Sequence, residues 1–205
     1  MNLQAKLLER FLRYVAITSQ SNAAVKTVPT TSGQRELAEL LKTELAELGL
    51  VDLEISEFSV LTGKLPANLP AGHHAVPAVG WVAHLDTVDV CLNADIHPHV
   101  VANYQGGDIC LNEEKQIFLK VSEHPEIEKY IGQDIVVSDG TSVLGADDKA
   151  AIANVMVALE TLVNDKNLYH GDIYVCFVPD EEIGLLGAKA IDFEKFPVDF
   201  AYTID

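Results

Sequence analysis

The hydrophobic positions of this chain switch between two periods. Leu3, Leu7, Phe11 and Val15, flanked by Leu8 and Leu12, recur at helical spacing and predict an amphipathic first helix. A polar stretch, TSQSNAAVKTVPTTSG, follows. Thr31 then stands three residues before Gln34, the spacing of a capping box at a helix start. The helix opened there carries Leu37, Leu40, Leu41, Leu45 and Leu48 on one stripe and stops at Gly49. VDLEISEF alternates and predicts a half-buried strand. The stretch 61–76, rich in Gly, Pro and Ala, is expected to be loop. AVGWVAHLD is instead a continuous apolar run ending in polar residues, as expected of a central strand covered on both faces. DIYVCFVPDEE repeats that form, with Pro179 ending the ladder, and DFAYTID is a third, shorter run. Between the first two lie a polar segment, 91–142, with turn signals at Gly106-Gly107 and Asp139-Gly140, and a long helix opened by GADDKAA. Strands alternating with helices predict an α/β fold, a mostly parallel sheet sandwiched by helices.

Composition narrows the partners. The chain has 205 residues, 48% of them hydrophobic, enough for one substantial core. It carries 31 acidic against 14 basic residues, a formal net charge of −17. That balance excludes nucleic acid and anionic membrane surfaces as expected partners. Cys91, Cys110 and Cys176 are odd in number, widely spaced and lack a CxxC pattern. Free thiols in a reducing, cytoplasmic setting fit them better than a disulfide framework or a thiolate metal site. Charges interrupt the apolar pattern of the first twenty residues, so they do not read as a signal peptide. No apolar run approaches the ~18 residues that would span a bilayer.

The candidate chemistry lies at the ends of the buried elements. In open α/β sheets, ligands bind beyond the carboxyl ends of the strands. The first apolar strand ends His84-Leu85-Asp86, the second Asp180-Glu181-Glu182, the third Asp205, and Asp147-Asp148 open the long helix. Each motif alone has a plain structural role: a hydrogen-bonded pair, favourable charge at a helix start, a solvated turn. Their joint placement on one edge points to a metal. His84 and Asp86 are two apart on a strand and face the same way, so the carboxylate can orient a ligating imidazole. Imidazole plus carboxylates, without thiolate, suits zinc or a similar divalent ion in a hydrolytic site. The Glu181-Glu182 pair can divide two roles, one as ligand and one moving a proton. His97, His99, His124 and His170 are expected at the surface, His73-His74 stay ambiguous, and Lys149 is expected to face a nearby acid.

With those residues in view, the chain resembles the peptidase T family, tripeptide aminopeptidases of the di-zinc exopeptidase and deacylase superfamily. The match is carried by VPTTSGQ (28–34), HLDTVD (84–89), NYQGGDI (103–109), DGTSVLGADDKAAIA (139–153), HGDIYVCFVPDEEIG (170–184) and DFAYTID (199–205). The resemblance implies two zinc ions per complete site. His84 and Asp205 would hold one, Asp147 would bridge to the second, and Glu182 would hold the second. Glu181 would be the general base toward the attacking water, and Asp86 would orient His84. It also implies a cis peptide between Asp147 and Asp148, and small peptides, tripeptides above all, as substrate.

Two departures accompany the resemblance. Leu185 and Leu186 separate the glycines after the acid pair, where the family has one residue. The family's chain also continues through an inserted lid domain and a C-terminal catalytic segment, which carries the last metal-ligating histidine. Residues 1–205 are therefore expected to be the N-terminal segment of the catalytic domain, with an incomplete second metal site and little or no peptidase activity alone. An exposed sheet edge makes a homo-oligomer an expected outcome. Other readings are a related di-zinc dipeptidase, carboxypeptidase or amino-acid deacylase, or a non-catalytic fragment binding Ca²⁺ or Mg²⁺. His84 argues against the last.

Overall fold

The computed structural model describes residues 2–74 and 76–205. Helix α1 (Leu3–Val15) is capped by Asn2, whose Oδ1 accepts the Ala5 N–H over 2.8 Å. Its predicted stripe is only partly used: Phe11, Tyr14 and Val15 are buried, whereas Leu3 is exposed. Helix α2 (Ser32–Glu47) buries Leu37, Leu41 and Leu45, and the chain leaves it at Gly49 in the left-handed conformation. The expected capping box does not form. Thr31 makes no side-chain cap, its hydroxyl donates to the Gln20 carbonyl, and the Gln34 side chain turns inward.

Strands β1 (Val51–Ile55), β2 (Leu61–Leu65), β3 (Val79–His84), β8 (Ile173–Val178) and β9 (Phe200–Thr203) form one sheet in the order β1-β2-β8-β3-β9. Pairings β3–β8 and β3–β9 are parallel, and β1–β2 and β2–β8 are antiparallel, so β2 alone runs against the others. β2 lies where a loop was expected. LTGKL is a short strand with a glycine at its centre, a weak signal, but burial between β1 and β8 overrides propensity. The segment 91–142 is also more ordered than its polarity suggests. It folds as two antiparallel ladders, β4 (Pro98–Val101) with β7 (Ile135–Ser138) and β5 (Ile109–Asn112) with β6 (Ile117–Leu119), around Tyr104, Ile109 and Ile127.

The central strands are buried on both faces, as their continuous apolar runs require. Ile173, Val175 and Phe177 of β8 join the main core with residues of α1, α2 and helix α3 (Ala146–Asn164). Cys176 and Val178 point the other way, against Val60 and Phe196. The three α-helices thus share one face. The opposite face is covered by the chain around 190–198. β9 forms an edge, with Phe200 and Tyr202 exposed on it as an edge-to-face aromatic pair. Among the described residues, no helix is long and apolar enough to cross a membrane.

Candidate metal centre

The parallel strands β3 and β8 stop in register, His84 beside Val178, and this delivers the polar residues after both to one edge of the sheet. Leu85 continues the ladder by donating its N–H to the Val178 carbonyl over 2.8 Å, which seats Asp86 beside the acid loop. Asp86 is fully buried, and its carboxylate has three tasks. Oδ1 accepts the Glu181 N–H over 2.9 Å, Oδ2 accepts the Glu182 N–H over 3.2 Å, and Oδ1 lies 3.3 Å from His84 Nδ1. The last contact is an ion pair poorly angled for a hydrogen bond, which leaves Nδ1 short of a well-placed partner.

α3 arrives at the same edge through an irregular start. Gly145 is left-handed, φ 71°, and an added Cβ would stand 2.8 Å from Ile96 Cδ1, so glycine suits both the conformation and the space. Asp147 and Asp148 then depart from helical dihedrals, and the peptide between them is cis, as the resemblance implied. The two acids point apart. Asp147 is exposed, and its Oδ1 lies 2.8 Å from His84 Nε2. Asp148 is buried and accepts the His84 backbone N–H over 2.8 Å. One acid thus faces the imidazole and the other holds the strand that carries it. Asp205 comes in from beyond β9.

His84 stands at the centre of two groups whose potential ligand atoms all lie within 4.8 Å of one another. One is His84, Asp147 and Asp205; the other is His84, Glu181 and Glu182. Burial alone would pull the His84 imidazole down, but the close Asp86 carboxylate, together with Asp148 and Asp147, carries it up to about 9. Burial pushes the Asp148 carboxyl up to about 7, with Asp205 and Asp147 adding to that rise and the His84 amide opposing it. Glu182 is raised too, by burial first and then by the charge of Asp147. Neighbouring carboxylates contribute to the upward shifts of His84, Asp148 and Glu182, so added positive charge is favoured at this edge. The donors are one imidazole and carboxylates, the set that a borderline divalent ion takes. Residues and chemistry fit a metal.

Comparison with known proteins sets the chain beside peptidases. No protein-family model matches the chain. A peptidase T-like protein of Yersinia pestis is 53% identical over 203 residues, and peptidase T of Escherichia coli (strain SE11) is 46% identical over 200 residues. These alignments take in 99% and 98% of this chain but 48% and 47% of the relatives. Over essentially its whole length, the chain is homologous to peptidase T. It spans about half the length of the curated relatives it matches. Among solved structures, the aminopeptidase PepT from Bacillus cereus superposes with a TM-score of 0.68 at 26% identity, over 98% of this chain and 43% of that one. A tripeptidase from Staphylococcus aureus gives 0.67 at 25% identity, over 98% of this chain and 43% of that one.

All six residues expected at the peptidase T site come to this edge. Others there went unrecognised in the sequence. Asp180, named only as part of the acid run, is fully buried with a left-handed φ of 54°. Lys149 feels the charge of Asp86, which opposes the effect of burial, but makes no salt bridge among the described residues. It is fully buried, its Nζ donates to the Ile17 carbonyl over 3.1 Å, and burial lowers it to about 8. Of the histidines expected at the surface, His97, His99 and His124 are exposed, while His170 is half-buried with Nδ1 2.8 Å from the Gly171 carbonyl. His73 and His74 are exposed. The two-leucine spacing is absorbed locally: the N–H groups of Leu185, Leu186 and Gly187 donate to the carbonyls of Glu181, Asp180 and Pro179, and Leu185 projects to solvent.

Proposed function

We propose that residues 1–205 form the N-terminal segment of the catalytic domain of a cytoplasmic zinc aminopeptidase that releases the first residue of tripeptides. One observation carries the reading. The buried His84 is shared by two three-residue donor groups, with Asp147 and Asp205 on one side and Glu181 and Glu182 on the other. His84, Asp147 and Asp205 would hold one zinc ion, and Glu182, with Asp147 shared, would hold a second. Zinc would supply Lewis acidity, polarising the scissile carbonyl and making water more acidic.

The protein's own groups do the rest. Asp86 turns the His84 ring and, through two amides, sets where Glu181 and Glu182 stand. Glu181 takes the proton of the attacking water on its carboxylate and returns it to the departing amine nitrogen. The acidic surroundings favour the free ammonium of a peptide over an anion. The homology to peptidase T, half of whose length this chain spans, supports the substrate class.

Zinc titration of the chain by calorimetry, followed by a panel of di-, tri- and N-acylated peptides, tests the reading. Zinc is expected to bind, and Asp147→Ala to weaken it. Little or no tripeptide hydrolysis is expected from 1–205 alone. Zinc content unchanged by Asp147→Ala would remove the assignment, and vigorous hydrolysis by 1–205 would remove the claim of an incomplete site.

A further inference from the structure

The stretch VPTTSGQ does more than begin α2. Gln34 is fully buried and grips Asp180 at two points: Nε2 donates to Oδ1 over 2.7 Å, and Oε1 accepts the Asp180 N–H over 2.8 Å. Thr30 closes the grip, its N–H donating to Asp180 Oδ2 over 2.8 Å and its hydroxyl donating to Oδ1. The Asp180 carboxylate thus meets three neutral donors in a water-excluded place. Its backbone holds a φ of 54°, a region that residues with a side chain rarely occupy. The next two residues are Glu181 and Glu182, whose amides are bound to Asp86.

We propose that Gln34, aided by Thr30, is a positioning residue for the Glu181–Glu182 pair. By clasping Asp180 in its left-handed conformation, it sets the sharp turn after β8 that aims both carboxylates at His84. What the pair does there rests on the metallopeptidase reading; how it is held does not. The helix itself argues for this role. A glutamine at this position normally reaches back to the start of its own helix. Here Nε2 still reaches the Thr31 hydroxyl over 3.2 Å, but the shorter bonds of the side chain go to Asp180, and α2 begins without a side-chain cap.

Hydrogen exchange on the 205-residue chain tests the clasp directly. In Gln34→Leu, the amides of Asp180, Glu181 and Glu182 are expected to exchange at least about tenfold faster, while those of β8 and His84 hold. Equal acceleration along the whole chain, or none at 180–182, overturns the proposal. Gln34→Glu sets one carboxylate against another and is expected to loosen the same amides. Adding Asp180→Asn supplies a donor to face it and is expected to restore them; failure to restore overturns the polar clasp. Should Gln34→Leu not fold, Thr30→Val removes only the hydroxyl and is read in the same way.

Zinc titration then separates the clasp from the functional reading. With Asp147→Ala present, Gln34→Leu is expected to weaken zinc about tenfold. With Glu182→Ala present, it is expected to change zinc affinity less than about twofold. Equal losses in both backgrounds overturn the positioning role. If the unaltered chain binds no zinc, the metallopeptidase reading falls, and the exchange pattern still decides whether Gln34 sets the acid turn.

Discussion

The two sides of His84 are built in opposite ways. Asp147 and Asp205 are exposed, and among the described residues the Asp147 side chain hydrogen-bonds only to the imidazole. Glu181 and Glu182 are half-buried, both their amides end on Asp86, and the residue before them is clasped by Thr30 and Gln34. On the first side Asp147 is placed by Gly145, the irregular start of α3 and the Asp148 bond to the His84 amide, and Asp205 by the end of β9. The second is placed by a network of buried polar groups. A binding site can therefore be half loose and half rigid around a single shared ligand. Metal affinity and fold stability should separate on the loose side and fall together on the rigid one.

His84→Ala removes the group common to both sides. It is expected to weaken zinc by about 1,000-fold, about 4 kcal/mol, in calorimetry. A loss below tenfold would mean that the two sides do not meet at the imidazole. Asp86→Ala comes next and probes the rigid side. It leaves two half-buried N–H groups without an acceptor, at up to about 1–3 kcal/mol each. A fall in urea stability of about 3 kcal/mol is expected, together with weaker zinc. Loss of zinc with stability intact would show that Asp86 does not hold the acid loop.

Asp147→Ala is the counterpart on the loose side. Zinc should weaken about 10–100-fold, whereas urea stability should stay within about 0.5 kcal/mol, because the side chain is exposed. A large stability loss would erase the contrast between the sides. The smallest effect lies away from the centre and checks that acid sensitivity is not the site's alone. Glu160 on α3 is held below the usual carboxylate range, first by its hydrogen bond to Lys6 and then by Arg10. Its folded value is depressed, so its contribution is full above the unfolded value of about 4.3 and fades as pH falls through the folded one. The loss between pH 5 and 3 should be under about 1 kcal/mol, and Glu160→Gln should flatten that part of the urea stability profile.

The contrast also explains what the sequence made legible. His84 and Asp86 declare themselves because two residues apart on a strand means one face. The acid pair after β8 declares itself because Pro179 ends the strand where ligands gather. Asp147 and Asp205 fall to the same rule about element ends. The supports of the rigid side were silent. Asp86 was legible as a partner of His84, but its hold on two amides depends on β3 and β8 being neighbours in register. Gln34 looked like half of a capping box, since local spacing cannot say that a partner 146 residues away competes for the side chain. Lys149 was expected to face a nearby acid, but not to be buried, because lysines seldom are; a carbonyl waiting at Ile17 is a tertiary fact. β2 was missed for a related reason, since Gly63 and Lys64 weaken its pattern while its neighbours in the sheet supply the burial.

The distance in sequence between Gln34 and Asp180 also has a consequence in time. Closing so long a loop is entropically unfavourable, and contacts of that kind form late in folding. Asp180 lies only two residues beyond β8, so it can meet Gln34 once β8 has joined the sheet and α2 has docked on β1 and β2. The acid turn is then among the last parts of the chain to mature. In a refolding time course, pulse-labelled amides at 180–182 would gain protection after those of β3 and β8, and competence to bind zinc would follow the turn rather than the sheet.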